Sequence, residues 1–165
     1  MKKILFVCLG NICRSAAAEA VLKKAAQDRG VSGEYEIDSA GISGYHAGER
    51  ADKRMIEAAL GRGYRVTSVS RPVTSGDLEH FDCIIAMDNH NVRDLKRMAR
   101  TEEQKKKIRK LTDFSSVGFR QKYGMTEVPD PYYGGAAGFT LVLDMLEDAA
   151  GGILNDLCRK SAGVE

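Results

Sequence analysis

Apolar and polar positions along the chain fall into blocks that predict strands and helices in turn. Ile4, Leu5, Phe6 and Val7 form a continuous apolar run, the pattern of a strand buried on both faces of a parallel sheet. From Ser15 to about Arg29 the period becomes helical, with Ala18, Val21, Leu22, Ala25 and Ala26 on one side, Ser15 as the N-cap and Gly30 as the stop. Tyr35 to Asp38 predicts a second strand, Ser39 to Glu49 a loop rich in Gly and Ser, and Ala51 to Leu60 a helix stopped by Gly61 and Gly63. Cys83 to Met87 predicts a third buried strand, and Asp88-Asn89-His90-Asn91 opens a helix running to about Arg100. A short fourth strand is expected around Ile108 to Leu111. The last helix, from about Gly138 to Arg159, repeats Leu141, Val142, Met145, Leu146 and Ala149 at helical spacing. Gly151-Gly152 inside it predicts a bend or a close helix contact, because each glycine costs about 1 kcal/mol relative to alanine in a helix.

Strands that alternate with helices imply a parallel sheet with right-handed crossovers and helices on both faces. Ligands in such sheets bind beyond the carboxyl ends of the strands, and the first strand ends at Cys8. No linker, repeat or low-complexity stretch divides the chain, so residues 1–165 are expected to form one α/β domain.

Composition narrows the picture. Hydrophobic content of 43% with 29% charged residues is that of a soluble globular protein. A net charge of +2 gives no reason to expect nucleic acid or membrane as partners, and Glu102-Glu103 precede the basic cluster of Lys105, Lys106, Lys107, Arg109 and Lys110. Lys2-Lys3 followed by an apolar run imitates a secretory signal, but the run is short and Asn11 and Arg14 interrupt it. The four cysteines, Cys8, Cys13, Cys83 and Cys158, have neither zinc spacing nor the density of a secreted scaffold, which points to a reducing cytoplasm. His46, His80 and His90 are scattered, so no metal site and no cofactor are expected.

The chemistry gathers between the first strand and the first helix, in Cys8-Leu9-Gly10-Asn11-Ile12-Cys13-Arg14-Ser15. A tight loop at a helix N-terminus converges backbone N–H groups and the positive end of the helix dipole on one point, an anion site. Gly10 and Asn11 tolerate the positive φ such a loop needs. A cysteine at the mouth is favoured as thiolate, and thiols in such settings have pKa values of about 3.5 to 7.5. Arg14 adds a planar, permanently charged donor for oxyanions. A thiolate beneath donors arranged for a tetrahedral dianion points to phosphoryl transfer to sulfur.

Cys8, five intervening residues and Arg14-Ser15 resemble the signature loop of protein tyrosine phosphatases, and the longer string VCLGNICRS is similar to that of the low-molecular-weight branch. The resemblance implies a single-domain, three-layer α/β/α fold with a four-stranded parallel sheet of order 2-1-3-4. It also implies hydrolysis of phosphotyrosine through a phosphocysteine intermediate, with phosphotyrosine proteins as substrates and a cognate tyrosine kinase as partner. Leu9, Gly10, Asn11, Ile12, Cys13 and Ser15 are then the cradle, with the Ser15 hydroxyl stabilising the thiolate. Asn11 and Ser39 are expected to hydrogen-bond to each other and hold the loop. Where many relatives carry a loop-supporting histidine this chain has Ser68, and after Cys-Arg-Ser it has Ala16 in place of proline.

A second motif completes the chemistry. Pro129 and Pro131 flank Asp130 in a loop ended by Gly134-Gly135, and Asp-Pro-Tyr-Tyr resembles the family's general-acid loop. A departing alkoxide or phenoxide needs a proton, which a carboxylic acid delivers. Tyr132 and Tyr133 would wall the cleft, and Tyr45 would pair with Tyr132 in a deep slot. Cys13 is expected to act as a redox guard by capturing oxidised Cys8. Two other activities fit the N-terminal loop: an arsenate reductase on the same fold, which relays a disulfide through further cysteines, and a catalytically silent phosphopeptide-binding module.

Overall fold

β1, Lys2–Cys8, is the middle of the sheet, and its alternation of side chains builds both cores. Ile4, Phe6 and Cys8 face one layer of helices, while Leu5 and Val7 face the other. β2 (Tyr35–Gly41) and β3 (Cys83–Ala86) pair with β1 in parallel, and β4 (Ile108–Lys110) pairs with β3, giving the order β2-β1-β3-β4. This is the expected parallel order. The computed structural model describes residues 1–132 and 134–162, with side chains described through residue 157.

Helices α1 (Arg14–Asp28), α2 (Lys53–Leu60) and α7 (Ala136–Ala162) cover the first face, where Leu22, Met55, Leu143, Leu146 and Leu154 join the core. α3 (Ser75–His80) and α4 (Asn89–Met98) cover the second with Leu78 and Leu95. α4 begins as its sequence predicts, with Asp88 and Asn91 forming a reciprocal capping box. α5 (Glu102–Lys106) and α6 (Val117–Tyr123) complete the connections.

Several boundaries differ from the sequence reading, each for a physical reason. β2 continues past Asp38 through Ser39, Ala40 and Gly41, because pairing with β1 extends to Cys8 opposite Gly41. α1 starts at Arg14 with Cys13 at the N-cap position and no side-chain cap, so Ser15 lies inside the helix with its hydroxyl turned to the loop. α3, α5 and α6 are too short to show a hydrophobic period, although Thr74, Thr101 and Ser116 cap them from their side chains. Gly152 is explained by contact: a Cβ there would overlap the Phe114 carbonyl, in the turn Leu111–Phe114 that α7 packs against. Cys83 is buried in β3, while the Tyr133 and Cys158 side chains lie outside the described residues.

Candidate active site

β1 delivers Cys8 to the carboxyl edge of the sheet, and the chain turns at once through a loop into α1. Asn11 makes that turn possible with φ 56°, the one positive φ at a non-glycine position among the described residues. Gly10 has a different role from the one expected, since its φ is not positive. Its missing side chain lets the His46 ring close over the loop, and a Cβ there would stand 3.2 Å from His46 Cδ2. Gly41 is required for the same kind of reason, because a Cβ would meet the Leu9 carbonyl at 2.9 Å.

Cys8 is 3% exposed, and its sulfur is ringed by polar groups. Asn11 N–H donates to Sγ at 3.3 Å, and the Ser15 hydroxyl lies 3.0 Å away. Asn11 Nδ2 donates to that same hydroxyl oxygen at 2.8 Å, and the Ser15 proton has the sulfur at 3.0 Å and the Ala40 carbonyl at 3.4 Å as acceptors, of which a thiolate is the nearer and the charged one. The first bond inside α1 runs from Ala17 N–H to the Cys13 carbonyl, so the N–H groups before it remain available to an anion.

Arg14, 3% exposed, closes the loop. Its Nη1 donates to Asp88 Oδ2 at 2.7 Å and to the Val128 carbonyl at 3.0 Å, and its Nη2 lies 3.7 Å from Asp130 Oδ2. Burial opposes the charge, but Cys8, Asp88 and Asp130 outweigh it and hold the guanidinium above its ordinary value. Asp88 therefore aims the arginine as well as capping α4, a role that helix-start reading could not reveal. Asp130 is tethered in turn by the Tyr132 N–H, which donates to Oδ1 at 3.0 Å.

Support for the loop is distributed otherwise than expected. Asn11 and Ser39 do not bond to each other: Asn11 Oδ1 accepts from the Arg71 N–H at 3.1 Å, while the Ser39 hydroxyl donates to Glu19 Oε1 at 2.7 Å. The positive φ folds Asn11 back into its own loop, and the buried Glu19 carboxylate, bonded also by Lys23, is the stronger acceptor for Ser39. Ser68 Oγ is buried without a hydrogen-bond partner among the described residues. The Ser70 hydroxyl, unnoticed in the sequence, supports the loop by donating to the Gly10 carbonyl at 3.0 Å. Arg71 is itself anchored to Asp77 and Asp38.

A cavity of about 510 Å³ opens above the thiol, with Leu9, Ile12, Ser43, Tyr45, His46 and Tyr132 among its walls. His46 meets both Tyr45 and Tyr132 at the cavity wall. The Tyr45 ring meets the imidazole edge-on at 4.9 Å, and the Tyr132 ring lies 6.4 Å from it. Glu49 Oε2 holds His46 Nδ1 at 2.6 Å. The sequence reading set His46 outside the motifs, although its place beside Tyr45 was the available signal. Cys13 also borders the cavity, and burial, with Asp52, Cys8 and Asp130 adding, pushes its thiol up to about 12. At neutral pH it is protonated.

A buried thiol under loop donors, faced across a cleft by a carboxyl group, equips a hydrolase that transfers phosphoryl groups through sulfur. Residues 3–162 match the family model described as low molecular weight phosphotyrosine protein phosphatase, and the chain belongs to that family. It is 39% identical to a low molecular weight protein-tyrosine-phosphatase of Streptomyces coelicolor, covering 92% of this chain and 91% of the relative. A human low molecular weight phosphotyrosine protein phosphatase is 40% identical, with 86% of each chain covered. The crystal structure of a protein tyrosine phosphatase from Entamoeba histolytica superposes with a TM-score of 0.91 at 48% identity, covering 98% of this chain and 99% of that one.

Proposed function

We propose that this chain is a single-domain phosphotyrosine phosphatase in which Cys8 is the nucleophile, Arg14 the phosphoryl clamp and Asp130 the general acid and base. The phosphoryl dianion sits on the loop N–H groups and Arg14. The Cys8 thiolate attacks phosphorus, the P–S bond forms as the P–O bond breaks, and Asp130 gives its proton to the leaving phenolic oxygen. Water then attacks the phosphocysteine while the Asp130 carboxylate takes its proton, and sulfur leaves with the electron pair. Ser15 and the Asn11 N–H receive that charge. The observation that carries this reading is the donor shell around Sγ in the loop whose arginine reaches Asp130. Hydrolysis of an aryl phosphate, measured with and without chelator and arsenate, tests it: turnover should survive the chelator, and arsenate should inhibit without being reduced. Cys83, buried in β3, is poorly placed for a disulfide relay, which favours the hydrolase over an arsenate reductase.

Leu9, Ile12, Tyr45, His46 and Tyr132 shape a slot long enough for an aryl phosphate to reach the thiol, whereas a phosphoserine side chain is too short. Tyr45 is 85% exposed, so its replacement should spare the fold. Tyr45→Ala should raise KM for phosphotyrosine peptides by about tenfold with little change in kcat, the signature of lost uniform binding. Peptide kinetics check this, and a preference for phosphoserine peptides would contradict the slot. Tyr133 is proposed as a further wall residue on the resemblance alone.

Cys13 is proposed as a guard of the oxidised nucleophile. A protonated thiol attacks slowly, so capture should take minutes and accelerate as pH rises toward its raised value. After brief peroxide treatment, dithiothreitol should restore the parent but not Cys13→Ser, and peptide mass spectrometry should find Cys8 joined to Cys13. Cysteine spacing that fits neither a zinc site nor a secreted scaffold, with a net charge of only +2, supports a cytoplasmic enzyme acting opposite a tyrosine kinase, with no nucleic-acid or membrane partner.

A further inference from the structure

Asp130 and Cys8 come from loops far apart in sequence, and one side chain ties them together. Arg54, in the first turn of α2, is 48% exposed and outside the cavity wall. Its guanidinium grips the α2 N-cap residue in a fork, Nε to Asp52 Oδ1 at 3.1 Å and Nη2 to Asp52 Oδ2 at 2.9 Å. Asp52 is in turn fixed to the thiol loop, its N–H donating to the Ile12 carbonyl at 2.8 Å. On the other side, Arg54 Nη2 donates to the Tyr132 carbonyl at 3.0 Å, and the guanidinium carbon lies 5.4 Å from the Tyr132 ring centroid and 4.9 Å from that of Phe139, in the first turns of α7. Tyr132 is also the residue whose N–H holds Asp130 Oδ1. Two hydrogen bonds through Tyr132 thus connect the guanidinium to the Asp130 carboxyl group, and three through Asp52 connect it to the thiol loop.

A plain surface ion pair with Asp52 would have no need of the third acceptor or of two aromatic rings. The planar, two-pronged fork that lets one group hold Asp52 and the Tyr132 carbonyl together is a property of arginine that lysine lacks. The Arg54 guanidinium also holds the Asp52 carboxyl below its usual range, so the strut stays charged wherever the enzyme works.

We propose that Arg54 is a positioning residue that sets the distance between the general-acid loop and the nucleophile loop, acting on catalysis through Asp130. The proposal rests on Asp130 being the acid. Small misplacements of an acid cost rate only when the acid is needed, so the effect depends on the leaving group.

The test is kcat and KM of Arg54→Met and Arg54→Lys with phenyl phosphate, a poor leaving group, and p-nitrophenyl phosphate, a good one, each in the parent and in Asp130→Asn. Arg54→Met should lower kcat for phenyl phosphate by about tenfold and for p-nitrophenyl phosphate by less than about threefold, with KM nearly unchanged. Arg54→Lys, which keeps the charge and one acceptor, should fall between. In the Asp130→Asn background Arg54→Met should cost less than about twofold, because its route to the chemistry is gone. Equal losses for both esters, or the same loss with and without Asp130, would overturn the strut. If Asp130→Asn itself shows no dependence on leaving group, the acid assignment fails instead. Arg54→Lys carries the same comparison should the methionine variant not fold.

Discussion

Cys8→Ser should abolish turnover, with kcat falling on the order of 10⁵-fold, yet leave phosphate and vanadate binding within a few-fold of the parent. The two halves of that result have separate causes. Serine is a far poorer nucleophile and leaving group than a thiolate, and in this loop no side chain stands ready to take its proton: the nearest, Ser15, is a neutral hydroxyl 3.0 Å from the sulfur, and Arg14 is permanently charged. The cradle, by contrast, is made of backbone N–H groups, a guanidinium held by Asp88 and Val128, and a loop pinned by Ser70 and Arg71, none of which depends on sulfur. Calorimetric titration with vanadate alongside steady-state kinetics checks both halves. Residual hydrolysis of more than a trace in the variant would end the covalent mechanism.

Asp130→Asn should slow hydrolysis of phenyl phosphate by about 10² to 10⁴-fold and that of p-nitrophenyl phosphate by roughly tenfold less, because p-nitrophenolate departs with little protonation. The amide preserves the shape of the loop and its acceptor oxygen for the Tyr132 N–H, so the geometry of the cleft survives while the transferable proton does not. It also removes the negative group 3.7 Å from Arg14, which strengthens rather than weakens binding of a dianion. The expected pattern is a kcat loss without a KM rise. Steady-state kinetics with the two esters reads it, and equal losses would move the acid elsewhere.

Much of this site was legible along the chain because its chemistry is local. Cys8 through Ser15 are contiguous, so the sharing of one hydroxyl among Cys8, Asn11 and Ser15 needs only the loop and the first turn of α1. The buried run of β1 followed from a pattern that hydrophobicity imprints directly, whereas the strand order came with the family resemblance that the thiol loop carries. What escaped is what the fold brings in from a distance. Asp88 reads as a helix cap and is one, but its second oxygen reaches Arg14 across 74 positions. Ser70 and Arg71 come from an irregular segment with no period to announce it, and they hold the loop where Ser39 was expected to. His46 was discounted for lacking partners in sequence, yet two tyrosines and Glu49 meet it in space. Short polar residues have many satisfactory partners, so a motif names the donors and the tertiary fold chooses their acceptors.

A phosphoryl group carried on Cys8 sets this mechanism apart from direct hydrolysis by water, and it can be trapped. In Asp130→Asn the first step with p-nitrophenyl phosphate survives, while hydrolysis of the phosphocysteine loses its base, so the intermediate should accumulate. Rapid quenching in acid after mixing, followed by intact and peptide mass spectrometry, should find about one phosphoryl group per chain, on the peptide containing Cys8 and bound to sulfur, with a matching burst of p-nitrophenol. Turnover continuing with no adduct and no burst, or an adduct on any other residue, would contradict the account.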